Sequence, residues 1–156
     1  MPLHITNLLA SVGAAIFVAS LAFTGAGAEP PVERNLTIPF DAMQWERQSP
    51  EIPAMRALLW GDRNRDGSFG QVVHLAPGFD SGLHAHTGDY HGVLVAGEFE
   101  HVGPNGEGAG ARLRPGSYIR QAGGGMHIDR CVSAEPCVLF TFQYARADVI
   151  WPPKDK

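Results

Sequence analysis

Through its first 28 residues this chain has no Asp, Glu, Lys or Arg. The apolar run from Leu8 to Phe23 then meets the small tripeptide Ala26-Gly27-Ala28, the layout of a secretory signal peptide cut before Glu29. Its n-region offers only the terminal amine and His4. An uncleaved membrane anchor is the competing reading, since the run is nearly long enough to cross a bilayer. Both readings place the folded part outside the cytoplasm, as a periplasmic or secreted protein, and cleavage would leave it free of the membrane. Cysteine is scarce, with two in 156 residues. A domain of this size buries roughly two thirds of its unfolded surface, so it needs no disulfide scaffold. A clustered basic face is missing too, and a net charge of -4 excludes nucleic acid as a natural partner. Nor does any window carry apolar residues at sustained helical spacing, which predicts low helix content. No internal repeat or charge run stands out.

What the chain does have is short apolar runs separated by turn residues: "MRALLW", "GQVVHLA", "HGVLVAGEFEHV", "ARLRPGSYIRQ" and "CVLFTFQYA". Runs of four to eight residues ending in Gly, Pro, Asn or Asp are the pattern of an all-β barrel or sandwich. The reading divides the chain into a leader over 1–28, a proline-rich arm over 29–53, a barrel domain over 54–150 and a tail over 151–156. The arm is expected to lie across the domain through Leu36, Ile38, Phe40 and Trp45. "DRNRDGSFG" begins like a calcium loop at Asp62, Asn64 and Asp66. Its twelfth position is Val73, however, so a hairpin connection around Asp66-Gly67 is expected instead. "GPNGEGAGA", from Gly103 to Ala111, lacks the Lys-Ser/Thr ending and the helix of a phosphate-binding loop, and reads as a hairpin connection. Cys131 and Cys137, in "CVSAEPC", are spaced for a turn that joins their sulfurs in an oxidising compartment. Two buried free thiols are the alternative, and a metal role would need closer spacing.

Four of the seven histidines fall between Gly78 and His101. His84 and His86 are one residue apart, so a strand projects both imidazoles from one face, where they could bind one ion. Around them, "GFDSGLHAH" sets Gly78 six residues before His84, and "YHGVLVAG" runs on to Gly97. Downstream, "GSYIRQAGGGMH" sets Gly116 and Gly124 before His127. These spacings resemble the two motifs of the cupin superfamily, over roughly Leu58 to Tyr144. The chain departs from them at Ala122, where the motif has proline, at Cys131, where it has asparagine, and in lacking the acidic ligand of the first motif.

The resemblance implies an all-β double-stranded β-helix, a jelly-roll barrel holding a metal among His84, His86 and His127. The missing acidic position falls on Tyr90, and His91 is one residue later. One residue of offset reverses the face of a strand. A regular strand therefore aims Tyr90, Gly92 and Leu94 inward, with Tyr90 beside the ion as the candidate catalytic residue. A β-bulge near Gly88 would substitute His91 as a fourth ligand. His74 and His101 read as ordinary strand or surface residues.

Three neutral imidazoles suit Fe, Zn, Cu, Ni or Mn without choosing among them. They leave a strongly Lewis-acidic ion with open positions. The resemblance then implies a metal-dependent, dioxygenase-like oxidoreductase acting on a small oxygen-bearing molecule. The alternative is a non-catalytic ligand-binding or sensor cupin with a structural metal, or one that has lost its metal. An isomerase is disfavoured because no inward base is visible apart from the histidines. The expected partners are a small-molecule ligand or substrate and, through the outer sheet or the arm, a second copy in a homodimer.

Overall fold

A computed structural model describes residues 35–48, 52–146 and 148–153. The expected leader, the first part of the arm and the end of the tail lie outside the described residues. Contacts divide the chain into Met1–Leu36 and Thr37–Lys156. The strands all belong to the second unit: β1 (Glu46–Arg47), β2 (Ala54–Trp60), β3 (Phe69–Leu75), β4 (Ala85–His86), β5 (Tyr90–Ala96), β6 (Phe99–Val102), β7 (Tyr118–Gln121), β8 (Ile128–Cys131), β9 (Cys137–Gln143) and β10 (Val149–Ile150). The helical content among the described residues is one 3-10 turn, Phe40–Ala42.

Six strands form an antiparallel sheet in the order β1-β2-β3-β9-β5-β7. A second, smaller layer is built from the pairs β10-β4 and β6-β8. A single antiparallel bridge between His84 and His127 joins these pairs, with both backbone hydrogen bonds made, His84 N–H to the His127 carbonyl at 3.0 Å and the reverse at 2.8 Å. The order β10-β4-β8-β6 follows, extended at its far edge where Phe99 bridges Leu113. The apolar core lies between the layers. Leu75, Leu94, Ile119 and Leu139 come from the large sheet, and Phe99 and Cys131 from the small one. This is the double-stranded β-helix that the motif spacing implied.

Local chemistry explains the pairings. In β5 the period of two buries Tyr90, Gly92 and Leu94 and leaves Val93 and Val95 exposed, so one face of the strand is core and the other is surface. β3, inside the sheet and covered on both faces at its start, is buried from Phe69 to Val72, Gln71 included. β2 and β3 form a hairpin whose connection is closed by Asp62: its Oδ1 accepts from the Asn64 N–H and its carbonyl from that of Arg65. A Cβ at Gly70 would sit 2.1 Å from a ring carbon of Trp60, so any larger residue there would displace the indole. The Trp60 indole lies over Gly70 and packs beside Phe140 and Phe142.

The arm packs only in part as expected. Phe40 and Trp45 meet edge to face and both contact the His74 ring, which gives His74 a packing role. Leu36 and Ile38 remain exposed, whereas Ile52, at the end of the arm, is buried in the core. Cys131 and Cys137 form a disulfide between the end of β8 and the start of β9, both fully buried.

Candidate metal centre

The His84–His127 bridge places two imidazoles directly opposite each other across one antiparallel pair. His86, two residues along from His84, shares its face. The ring centroids lie 4.3 Å apart for His84 and His127, 5.0 Å for His84 and His86, and 5.6 Å for His86 and His127. One ring nitrogen from each falls within 4.8 Å of the other two. Donors about 2.0–2.1 Å from a common ion are at most about 4.2 Å apart, so the trio needs only a small contraction. Orientation is set from behind. His84 Nδ1 donates to the Gly82 carbonyl at 3.0 Å and His127 Nδ1 to the Gly125 carbonyl at 3.1 Å, which leaves each Nε2 free as a ligand atom.

The glycine turn before His127 sets this register. Gly124 N–H donates to the His86 carbonyl at 2.7 Å, Gly123 N–H donates to Asp89 at 2.8 Å, and Gly124 takes φ +75°, a conformation open to glycine. A Cβ on Gly123 would sit 2.7 Å from the Thr87 carbonyl oxygen. The two histidine-bearing segments are thus in backbone contact, and the turn fixes how far His127 reaches.

Tyr90 is buried and stands beside the trio, its hydroxyl 3.4 Å from His127 Nε2 and its ring edge-on to His86. Burial raises its pKa well above the usual phenol range, and Asp129 raises it further. His91 faces the other way, against Tyr118 and Tyr144 on the outer surface. A fourth ligand from His91 is therefore ruled out by the unbroken alternation at the start of β5.

Two residues escaped the sequence reading. His101, expected to be an ordinary strand residue, instead lies 4.8 Å from the His127 ring. Its Nδ1 is 2.8 Å from Asp129 Oδ1 and its Nε2 is 2.8 Å from Gln121 Oε1. The Gln121 amide donates to the Gly125 and Ala122 carbonyls, so its oxygen can only accept. With an acceptor at each nitrogen, the surroundings of His101 favour its protonated form against the Asp129 carboxylate. The shifts agree. Burial alone would lower His101 and raise Asp129, but their mutual hydrogen bond and charges prevail, so His101 is raised and Asp129 lowered. Asp129 Oδ2 lies 3.7 Å from His127 Nε2, which makes a buried carboxylate available beside the trio. The expectation that the interior holds no base apart from histidines is thereby corrected. A signal was present, because His127-Ile128-Asp129 repeats the one-residue spacing of His84-Ala85-His86. Trp151, beyond β10, packs on the His84 ring at 5.8 Å.

Burial, followed by the neighbouring His84 and His127, lowers the His86 pKa to about 4. Burial also lowers that of His127. Both are neutral at pH 7 and ready to act as ligands, and the donor set fits a divalent transition metal. The centre opens on a cavity of about 70 Å³ between the sheets, lined on one side by His84, His86 and Asp129 and on the other by Gln71, Thr141 and Gln143.

Residues 33–147 match the ChrR cupin-like domain family. The chain belongs to this family of cupins. No curated protein matches the sequence. Solved structures share its fold at low identity. The polyketide cyclase RemF from Streptomyces resistomycificus superposes with a TM-score of 0.65 at 14% identity, over 79% of this chain and 89% of that one. The DMSP lyase DddQ from Ruegeria pomeroyi gives 0.59 at 18%, over 74% and 64%. A chain of the Rhodobacter sphaeroides complex of SigE with the anti-sigma ChrR gives 0.51 at 13%, over 67% and 50%. Within the cupin fold, this chain's histidine cluster is compatible with a transition metal.

Proposed function

We propose that this chain is an exported cupin that holds a divalent transition metal through His84, His86 and His127 and acts as a dioxygenase-like enzyme on a small oxygen-bearing molecule. The observation that carries the reading is the convergence of three imidazoles, one nitrogen of each within 4.8 Å of the others, two of them with Nδ1 tied to backbone carbonyls and two, His84 and His86, lining the cavity. Bound there, the ion would supply Lewis acidity and, if it is iron, redox chemistry. The chain's own residues would do the rest. Tyr90 stays a neutral phenol able to donate one hydrogen bond to a substrate oxygen. Asp129, anchored by His101, offers a fixed hydrogen-bond acceptor for a substrate hydroxyl. Phe79, Phe99 and Leu139 give the cavity an apolar lining beside these groups. Export rests on the leader and agrees with the Cys131–Cys137 bridge.

Two measurements test this reading. Metal content after purification should fall severalfold in His84→Ala, and a variant with full occupancy would refute the ligand assignment. Anaerobically iron(II)-loaded protein should consume oxygen with a β-diketone, a catechol or a hydroxyketone, whereas full iron occupancy without consumption across that panel overturns the oxygenase reading. The second reading is a non-catalytic ligand-binding or sensor cupin with a structural metal, favoured by the likeness to the complex containing the anti-sigma ChrR. In that case chelation should lower the melting temperature with no turnover to lose. We also infer a homodimer through the outer face of the large sheet, where Trp60, Val93, Val95, Tyr118 and Tyr144 are exposed.

A further inference from the structure

The inner face of the large sheet, opposite the histidines, is polar where a core would ordinarily be apolar. Gln71, Thr141 and Gln143 are 5%, 7% and 6% exposed. Gln71 Oε1, Thr141 Oγ1 and Gln143 Oε1 are buried without a hydrogen-bond partner. Register places them together. Gln71 on β3 pairs with Thr141 on β9, Thr141 with Gly92 on β5, and Gln143 with Tyr90. Gly92 is buried and leaves that stretch of wall without a side chain, its missing Cβ 3.9 Å from the Thr141 methyl. Burying one such oxygen without a partner is costly. Three on one patch of one cavity mark groups kept for something that enters it.

We propose that Gln71, Thr141 and Gln143 form a recognition wall for a small neutral ligand carrying at least two hydroxyl groups, such as a hydroxyketone or short polyol, whose remaining oxygen faces the histidines. This rests on the metal reading above for its orientation only. Unpartnered oxygens call for donors on the ligand, and hydroxyls supply them while also accepting from the amide N–H groups or the threonine hydroxyl. Among the described residues no Lys or Arg lines the cavity, so a phosphate or a carboxylate pointing at this wall would be buried without a counter-charge. The volume limits size as well. One water needs about 10–15 Å³ of such space, so about 70 Å³ admits a ligand of roughly five to seven heavy atoms. A diketone with no hydroxyl would leave the wall unsatisfied, and the wall therefore selects among the substrates considered above.

The test uses the full chain, zinc-loaded and metal-free, with 1,3-dihydroxyacetone, its phosphate ester and butane-2,3-dione as probes, read by calorimetric titration. Wild type is expected to bind dihydroxyacetone at least tenfold more tightly than either of the others. Thr141→Val and Gln143→Met should weaken dihydroxyacetone binding fivefold or more, leave butanedione binding unchanged and retain full zinc content. Both variants should also melt at or above the wild-type temperature without ligand, because each removes an unsatisfied buried group. Absence of dihydroxyacetone binding by wild type in either form, unchanged affinity in the variants, or a melting temperature lowered by several degrees would each overturn the recognition wall. Failure of wild type to take up zinc would instead sink the metal reading, and the wall is then judged by the same variants in the metal-free form.

Discussion

At the scale of single residues, the protonation states of the centre follow from burial. An unfolded His86 takes up a proton near pH 6.5, whereas the folded one resists until about pH 4. Its stabilising contribution is therefore fully present above pH 6.5 and is lost as the pH falls from there to about 4. The loss amounts to about 3 kcal/mol by linkage, and His127, shifted the same way, adds to it. Urea denaturation of the metal-free protein at pH 7.0 and 4.5 should show this drop. His86→Gln should flatten the dependence, and an equally steep profile in that variant would refute the assignment. Proton competition for an ion at His86 is likewise postponed to about pH 4, below the range expected from an ordinary histidine. The shared face of His84 and His86 could be read from spacing and the inward direction of Tyr90 from counting residues, whereas His127 joined them only through the resemblance to the two cupin motifs. His101 could not be read either way, because its role depends on Asp129 and Gln121, which come from strands far away in sequence.

At the scale of elements, the decisive piece is the turn 122–125. It was visible as a glycine-rich stretch, but its function was not, because only the folded chain shows that Gly123 lies against the Thr87 carbonyl and that Gly124 N–H bonds to His86. Gly123→Ala should push the turn away from the 84–89 segment and spoil the spacing between His127 and His84. We expect at least a tenfold loss of zinc affinity with a modest fall in melting temperature, measured by competition with a chromophoric chelator. Gly106→Ala, in the 103–111 connection, has open space around its missing Cβ. Strained by its positive φ, it serves as a control that should cost stability without costing metal affinity. Strand β5 was the most legible element, since its alternation assigns both of its faces. The small layer was the least legible. Its strands run two to four residues, too short for a period of two to declare itself, and one bridge unites them.

At the scale of the whole molecule, the two layers divide the work: the small one presents the imidazoles and Asp129, and the large one presents the polar wall. The outer surface of the large sheet carries Trp60, Val93, Val95, Tyr118 and Tyr144 in partial exposure, more apolar surface than isolated side chains on a monomer would suggest. We expect sedimentation to report a dimer and Val95→Glu to shift it toward monomer with little effect on metal content. A monomeric wild type would refute the pairing. The overall architecture was readable because turn residues punctuate the apolar runs. The layer assignment was not, because it is settled by long-range pairings such as β3 with β9.

The Cys131–Cys137 link closes a short loop, and such a tether is worth about 2 kcal/mol by chain entropy. Its position matters more than that figure. It fastens the last residue of the strand bearing Asp129 to the first residue of the strand bearing Thr141 and Gln143. Reduction would leave the backbone 132–136 as the direct covalent connection between those two strands. The redox poise of the surroundings is thus expected to bear on how firmly the two layers are tied at that corner.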